Sequence, residues 1–262
     1  MDHIDPYIAE LLETEAARLN APAFIADDPV QFPRRFSAPT DIEAAALLCA
    51  TIAWGKRAMI CRNCERLLDI MDNRPTEYIL SGEYEALNDG KNIHRTFFQA
   101  NLKHWLRGLN RIFRKYGSVE GLAAARGVAD EPAPAWALAR ELNTEMAAAN
   151  DSCHDSRCLP QNLESTALKR LNMALRWLVR RDGIVDLGIW NALTPDKLYI
   201  PLDVHVGNTA RDLGLLTRRS NDRRAVEELT AMLRRLRPDD PVVYDFALFG
   251  IGIEGSLSLI HI

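Results

Sequence analysis

Apolar residues recur at intervals of three and four along nearly the whole chain, and no long alternating run of β-branched residues interrupts them. That period belongs to helices sharing a core, so the sequence predicts an all-α protein with little sheet. The pattern places helices over Pro6 to Leu19, through Trp54 from a capping box at Thr40-Asp41-Ile42-Glu43, and near Lys56 to Met71. Further helices are expected near Asn92 to Tyr116, Ser118 to Ala125, Pro134 to Ala149 and Ser165 to Arg181. A short one around Val185 to Ala192 and three more near Val204 to Leu213, Asp222 to Leu236 and Pro241 to Phe249 complete the set. The proline-rich stretch Ala21 to Ala38 reads as an irregular connection, as does the loop from Thr194 to Pro201. Asn150 to Gln161, polar and ended by Leu159-Pro160, reads as a surface loop or the crossing between two lobes of one unit over residues 1 to 255. Ser256 to Ile262 shows no helical pattern and reads as a tail.

The formal net charge of −4 argues against a protein coated with positive charge, while leaving room for a local basic cleft. No apolar stretch approaches the roughly 18 to 20 residues that cross a bilayer. The opening Met1-Asp2-His3-Ile4-Asp5 lacks the basic and apolar regions of a secretory signal, so a soluble cytoplasmic protein is expected. Five cysteines thinly spread over the chain predict free thiols rather than a disulfide scaffold. Cys61 with Cys64, and Cys153 with Cys158 beside His154, are zinc-like pairs. Because the first lies in a helical pattern and the second far away, no metal site is expected.

The charges are unevenly placed. From Lys169 to Arg181 there are five basic residues and no acid. On a helix, Leu168, Leu171, Leu175 and Leu178 make one stripe, and Lys169, Asn172, Arg176 and Arg180 line up on a second face. A solvated surface is the plain reading of such a face. An all-cationic stripe without acids at i,i+4 also suits a phosphate backbone, and Lys169, beside Arg170 on the margin of the apolar face, is a candidate amine nucleophile. A second constellation is Ile200-Pro201-Leu202-Asp203-Val204-His205-Val206, where Asp203 stands at a helix N-cap. A cap and a catalytic carboxylate are compatible, because the capping amides fix its direction. Trp54, Trp177 and Trp190 are candidates to stack on a base, with core packing the preferred reading.

The run Leu202-Asp203-Val204-His205-Val206, followed by Ala210-Arg211-Asp212-Leu213-Gly214-Leu215, resembles the aspartate segment of helix-hairpin-helix (HhH-GPD) DNA glycosylases. The resemblance implies a two-lobed all-α fold with a cleft, Asp203 as the catalytic carboxylate and Lys169 as the amine nucleophile of a bifunctional enzyme. The Lys169 to Asp203 separation is closest to that of archaeal 8-oxoguanine glycosylases. The whole chain is similar to the bacterial domain-of-unknown-function family 2400, through Asp41-Ile42-Glu43, Ala53-Trp54-Gly55-Lys56-Arg57, Lys169-Arg170-Leu171-Asn172-Met173, Ile200 to His205 and Tyr244-Asp245-Phe246-Ala247-Leu248-Phe249-Gly250. No Leu-Pro-Gly-Val-Gly hairpin precedes Lys169, and no four-cysteine cluster lies near the C-terminus, so no iron–sulfur cofactor is expected.

The function expected from this resemblance is base-excision repair of damaged duplex DNA, with AP-lyase activity through a lysine imine. Lys56, Arg57, Arg170, Asn172, Arg176, Arg180, His205 and Arg211 are then the expected DNA-binding residues. The alternatives are a noncatalytic DNA-binding protein on the same scaffold and a scaffold repurposed for a small molecule or a protein partner.

Overall fold

The computed structural model describes residues 4–254, so the expected tail lies outside the described residues. The first helix, α1 (Pro6–Leu19), starts where Asp5 accepts a hydrogen bond from the Tyr7 N–H at 2.8 Å. The proline-rich connection holds a single turn, α2 (Pro22–Ile25), and two 3-10 turns, each begun by a proline whose missing N–H costs nothing there. Next come α3 (Pro39–Thr51), α4 (Arg57–Ile70) and α5 (Pro75–Ser81). A small antiparallel hairpin, β1 (Asn92–His94) and β2 (Phe97–Phe98), leads into α6 (Gln99–Tyr116), α7 (Val119–Ala125) and α8 (Pro134–Ala148). After a long irregular stretch follow α9 (Lys169–Val179), α10 (Val204–Asp212), α11 (Arg223–Leu236) and α12 (Tyr244–Glu254). The structure is mostly helical, as the periodicity predicts, and none of its helices is long and apolar enough to cross a membrane among the described residues.

Helices α3, α6, α9 and α12 organise the packing. Helix α3 is buried from Ile42 to Thr51 and lies against α5 and α9, while α6 packs on α5, α7 and α8. Helix α12 receives α1 on one side and α10 on another. Helix α9 touches α3 and α8, and its buried Leu171, Leu175, Trp177 and Leu178 each contribute roughly 1.5–3 kcal/mol of apolar burial. It is therefore a central strut, and what leaves its two ends decides the site.

Four local expectations need correction. Pro39 takes the first position of α3, so Thr40 and Glu43 do not cap it. Glu43 is buried and instead accepts the Val119 and Glu120 N–H groups at 2.6 and 2.8 Å, closing the start of α7, and burial pushes its pKa up to about 7. Asn92 to Phe98 is a hairpin and not the first turns of α6. The Asn92 side chain donates to the Arg95 carbonyl at 2.7 Å to hold the turn, and the Asn101 carboxamide accepts the Phe98 N–H at 2.6 Å to begin the helix. The helix expected from Ser165 starts only at Lys169, because Leu168 adopts a left-handed φ of 48°. Residues 185–192 are not helical; they run along the end of α9, where Leu187 and Trp190 donate to the Trp177 and Leu178 carbonyls at 2.7 and 2.9 Å.

Candidate functional site

A cleft of about 920 Å³ opens where the starts of α4, α9 and α10 meet the side of α12. Each of these starts is built differently. At α9, Leu168 pays a left-handed backbone conformation of about 1–2 kcal/mol while its side chain is buried, and the Thr166 hydroxyl accepts its N–H at 3.3 Å. Asn172 fastens the turn by donating to the Ala167 carbonyl at 3.1 Å. Lys169 thereby becomes the first helical residue and reaches the cleft, with its Nζ donating to the Ala53 carbonyl at 3.3 Å.

At α10 the buried run Ile200-Pro201-Leu202 is anchored to α11 by an Ile200 N–H bond to the Thr230 hydroxyl at 3.1 Å. Asp203 follows as N-cap, half-buried, its Oδ1 accepting the Val206 N–H at 3.0 Å. Its carbonyl accepts from the Asn221 side chain at 2.9 Å, and Arg211 donates to the same Asn221 at 2.5 Å. Gly207 leaves room for that crossing, since a Cβ there would lie 2.7 Å from the Asn221 Oδ1. Asp203 and Lys169 both line the cleft, along with Lys56, Arg57, Arg170 and His205.

The other expected residues sit elsewhere. Arg211 braces the loop that carries Asp203 and does not line the cleft. Asn172 and Arg180 are only 1% and 4% exposed. Arg176 reaches the cleft wall but is 3% exposed and ion-paired to Asp186 at 3.2 Å and to Asp245. Arg180 is paired with Asp240 at 2.8 Å, Asp186 at 2.9 Å and Asp182 at 2.5 Å. The reading of Asn172, Arg176 and Arg180 as a stripe open to a phosphate backbone is corrected accordingly: carboxylates from later in the chain neutralise both arginines, and Asn172 turns inward. Arg170 is also committed in part, donating to the Thr51 and Arg157 carbonyls at 2.7 and 2.9 Å with its guanidinium 5.3 Å from the Trp54 ring centroid. Trp177 and Trp190 are core, at 0% and 1% exposure, whereas Trp54 stands half-buried in the cleft wall, edge-on to His94 at 4.6 Å.

Three cleft residues escape a reading of the sequence alone. Arg95 arrives on the turn of the β1–β2 hairpin, which the periodicity hides. Asp28 is buried near Arg57, with burial raising its pKa against the Val30 N–H bond and the nearby cations. Asp245 lies in the family-like stretch Tyr244 to Gly250. Burial raises its pKa to about 6, opposed by Arg176 and reinforced by Asp203. The cysteines are free, and no group of three or more metal-binding side chains occurs among the described residues.

A nucleophilic amine and a fixed carboxylate facing one partly dry cleft can perform amine addition and stabilise a developing positive charge. Against known proteins, a family model described as a protein of unknown function (DUF2400) matches residues 28–254. No curated protein and no solved structure matches the chain.

Proposed function

The chain belongs to that DUF2400 family, and we propose that it is a DNA base-excision glycosylase of the helix-hairpin-helix type, with AP-lyase chemistry at Lys169. The observation that carries this reading is the opening of Lys169 and Asp203, from the starts of two different helices, onto one cleft that also holds cations. In this reading the cleft lies between the two lobes of the glycosylase fold, joined near Asn150 to Gln161.

The chemistry follows from the two groups. The Lys169 amine attacks C1′ of an everted nucleotide, and the C1′–N bond breaks with its electron pair leaving on the base, which takes up a proton. Positive charge builds on the sugar as that bond stretches, and the Asp203 carboxylate, held in direction by the Val206 N–H, stabilises it. Asp203 then accepts the proton released by the attacking amine. Opening of the sugar ring leaves an imine between Nζ and C1′. Loss of a C2′ proton from it expels the 3′ phosphate and cuts the strand.

Borohydride reduces such an imine to a stable amine, so trapping on oligonucleotides bearing oxidised, deaminated and alkylated bases tests the proposal. The parent protein is expected to trap on at least one lesion. Lys169→Gln should abolish trapping while DNA affinity stays within a few fold. Trapping that survives in Lys169→Gln removes Lys169 from the mechanism. Salt-sensitive DNA binding without trapping by the parent points to the noncatalytic alternative.

A further inference from the structure

The cleft has one corner where Lys56, Arg57 and Arg95 gather, with Asp28 the acid that stands 4.0 Å from Arg57. Helix α4 begins there after Gly55, whose φ of 107° is open to glycine and strained for other residues. Its N-cap, Lys56, offers no side-chain cap, and the first turn contains no acidic residue. The hairpin lays Arg95 across this start: a Cβ on Gly55 would meet the Arg95 Nη1 at 3.0 Å and its Cδ at 3.6 Å. Arg95 itself is exposed and sits in the hairpin turn at a left-handed φ of 50°.

The partners of these cations are few. Neither the Lys56 ammonium nor the Arg95 guanidinium has a hydrogen-bond or ion-pair partner among the described residues. Arg57 lies between the Phe24 and Phe249 rings, 5.4 and 4.9 Å from their centroids, and comes only to 4.0 Å from Asp28. Its Nη2 is buried with no hydrogen-bond partner. That nitrogen keeps only the 4.0 Å ion pair with Asp28, and the like charges of Lys56 and Arg95 on the same cleft repel one another and Arg57. A bound anion with several acceptor oxygens relieves that repulsion.

We propose that Lys56, Arg57 and Arg95 form a phosphate-binding corner that anchors a nucleic-acid backbone at the rim of the cleft. This rests on the DNA-binding part of the function proposed above and adds Arg95, a residue outside the expected set. A phosphodiester at the cleft rim can meet the planar fork of Arg95 and the point charge of Lys56, with Arg57 adding its charge from the wall behind them. The anion also stands at the positive end of α4.

Two arms test the corner. In the first, inorganic phosphate is titrated into the full chain while amide resonances of Gly55, Lys56 and Arg57 are followed. They should move in the parent and stay still in Arg95→Gln. In the second, duplex DNA affinity is measured against salt. Arg95→Gln and Lys56→Gln should each weaken binding by about three- to tenfold and flatten the slope of log K against log salt by about 0.9. Both residues are exposed and make no side-chain hydrogen bond, so the variants should fold as the parent does, which circular dichroism checks. Shifts with phosphate but an unchanged DNA slope would overturn the nucleic-acid source and leave a small phosphorylated compound as the ligand. Amides unmoved by phosphate together with an unchanged slope would overturn the corner, even if Lys169 still traps. Absent trapping with a flattened slope would overturn the glycosylase reading and leave the corner standing.

Discussion

The two ends of α9 carry the same kind of residue and do opposite things. At its start, Lys169 is half-buried, holds one carbonyl at 3.3 Å and faces the cleft. Toward its end, Arg176 and Arg180 are 3% and 4% exposed and are enclosed by Asp182, Asp186, Asp240 and Asp245. The lesson is that a cationic stripe has no single meaning. Asp182 and Asp186 follow the helix closely but outside the i,i+4 spacing of a helix surface, and Asp240 and Asp245, on the approach to and start of α12, are brought in only by folding.

The contrast can be broken at the buried end. Arg176→Met should leave the buried Asp186 and Asp245 without their shared cation, with a loss of about 3–5 kcal/mol in denaturant unfolding. Lys169→Met, measured the same way, should change stability by about 1 kcal/mol or less, because only one long hydrogen bond goes with it. Equal losses at the two sites would erase the distinction between a structural end and an open end.

At the open end the expected effect falls on rate rather than stability. Asp203→Asn keeps the size and much of the capping geometry at the Val206 N–H while removing the charge. A cap alone predicts normal turnover and roughly 1 kcal/mol or less of lost stability. A catalytic carboxylate predicts single-turnover excision slower by about a hundredfold or more, with folding retained. Near-normal excision would leave Asp203 a cap.

How much of this could be read before folding follows the same division. Most of the longer helices show in the three- and four-residue period, α1 to the residue, whereas α5 does not and the helix expected at 185–192 is absent. Lys169 is singled out in the sequence by the cationic run and the family-like stretch, within a helix expected from Ser165, and Asp203 by its N-cap position after Pro201; that the first stands at a helix start shows only in the fold. Arg95 is not singled out, since Ile93 and Phe97 are four apart and mimic a helical stripe; the turn is set instead by the Asn92 bond to the Arg95 carbonyl. Glu43 misled for a related reason. A capping box and a buried carboxylate that caps a neighbouring helix share one local sequence, and only the position of Val119 separates them.

The smallest expected effect concerns Asp245, the residue on which the two ends meet: it pairs with Arg176 and also lines the cleft. Its pKa is raised from 3.8 to about 6, chiefly by burial, with the Arg176 charge opposing the rise. As pH falls from 7 to 5 the folded protein therefore takes up a proton here. The cleft, lined by Lys56, Arg57, Arg95, Lys169, Arg170 and Arg176, then carries one negative charge fewer. Duplex DNA should consequently bind roughly two- to fivefold more tightly at pH 5 than at pH 7 at constant low salt, a gain that added salt screens. Stability runs with the same sign: between pH 3.8 and about 6 the folded chain holds a proton that the unfolded chain has lost, so this group's contribution declines as pH rises through that window. Asp245→Asn fixes the cleft in its less acidic state and should bind at pH 7 about as the parent does at pH 5. Because His205 also lines the cleft, the comparison is made with His205→Gln in both proteins, so that only Asp245 differs. An equal pH response with and without Asp245 would place its titration outside the cleft's field and confine it, with Arg176, to the structural end of α9.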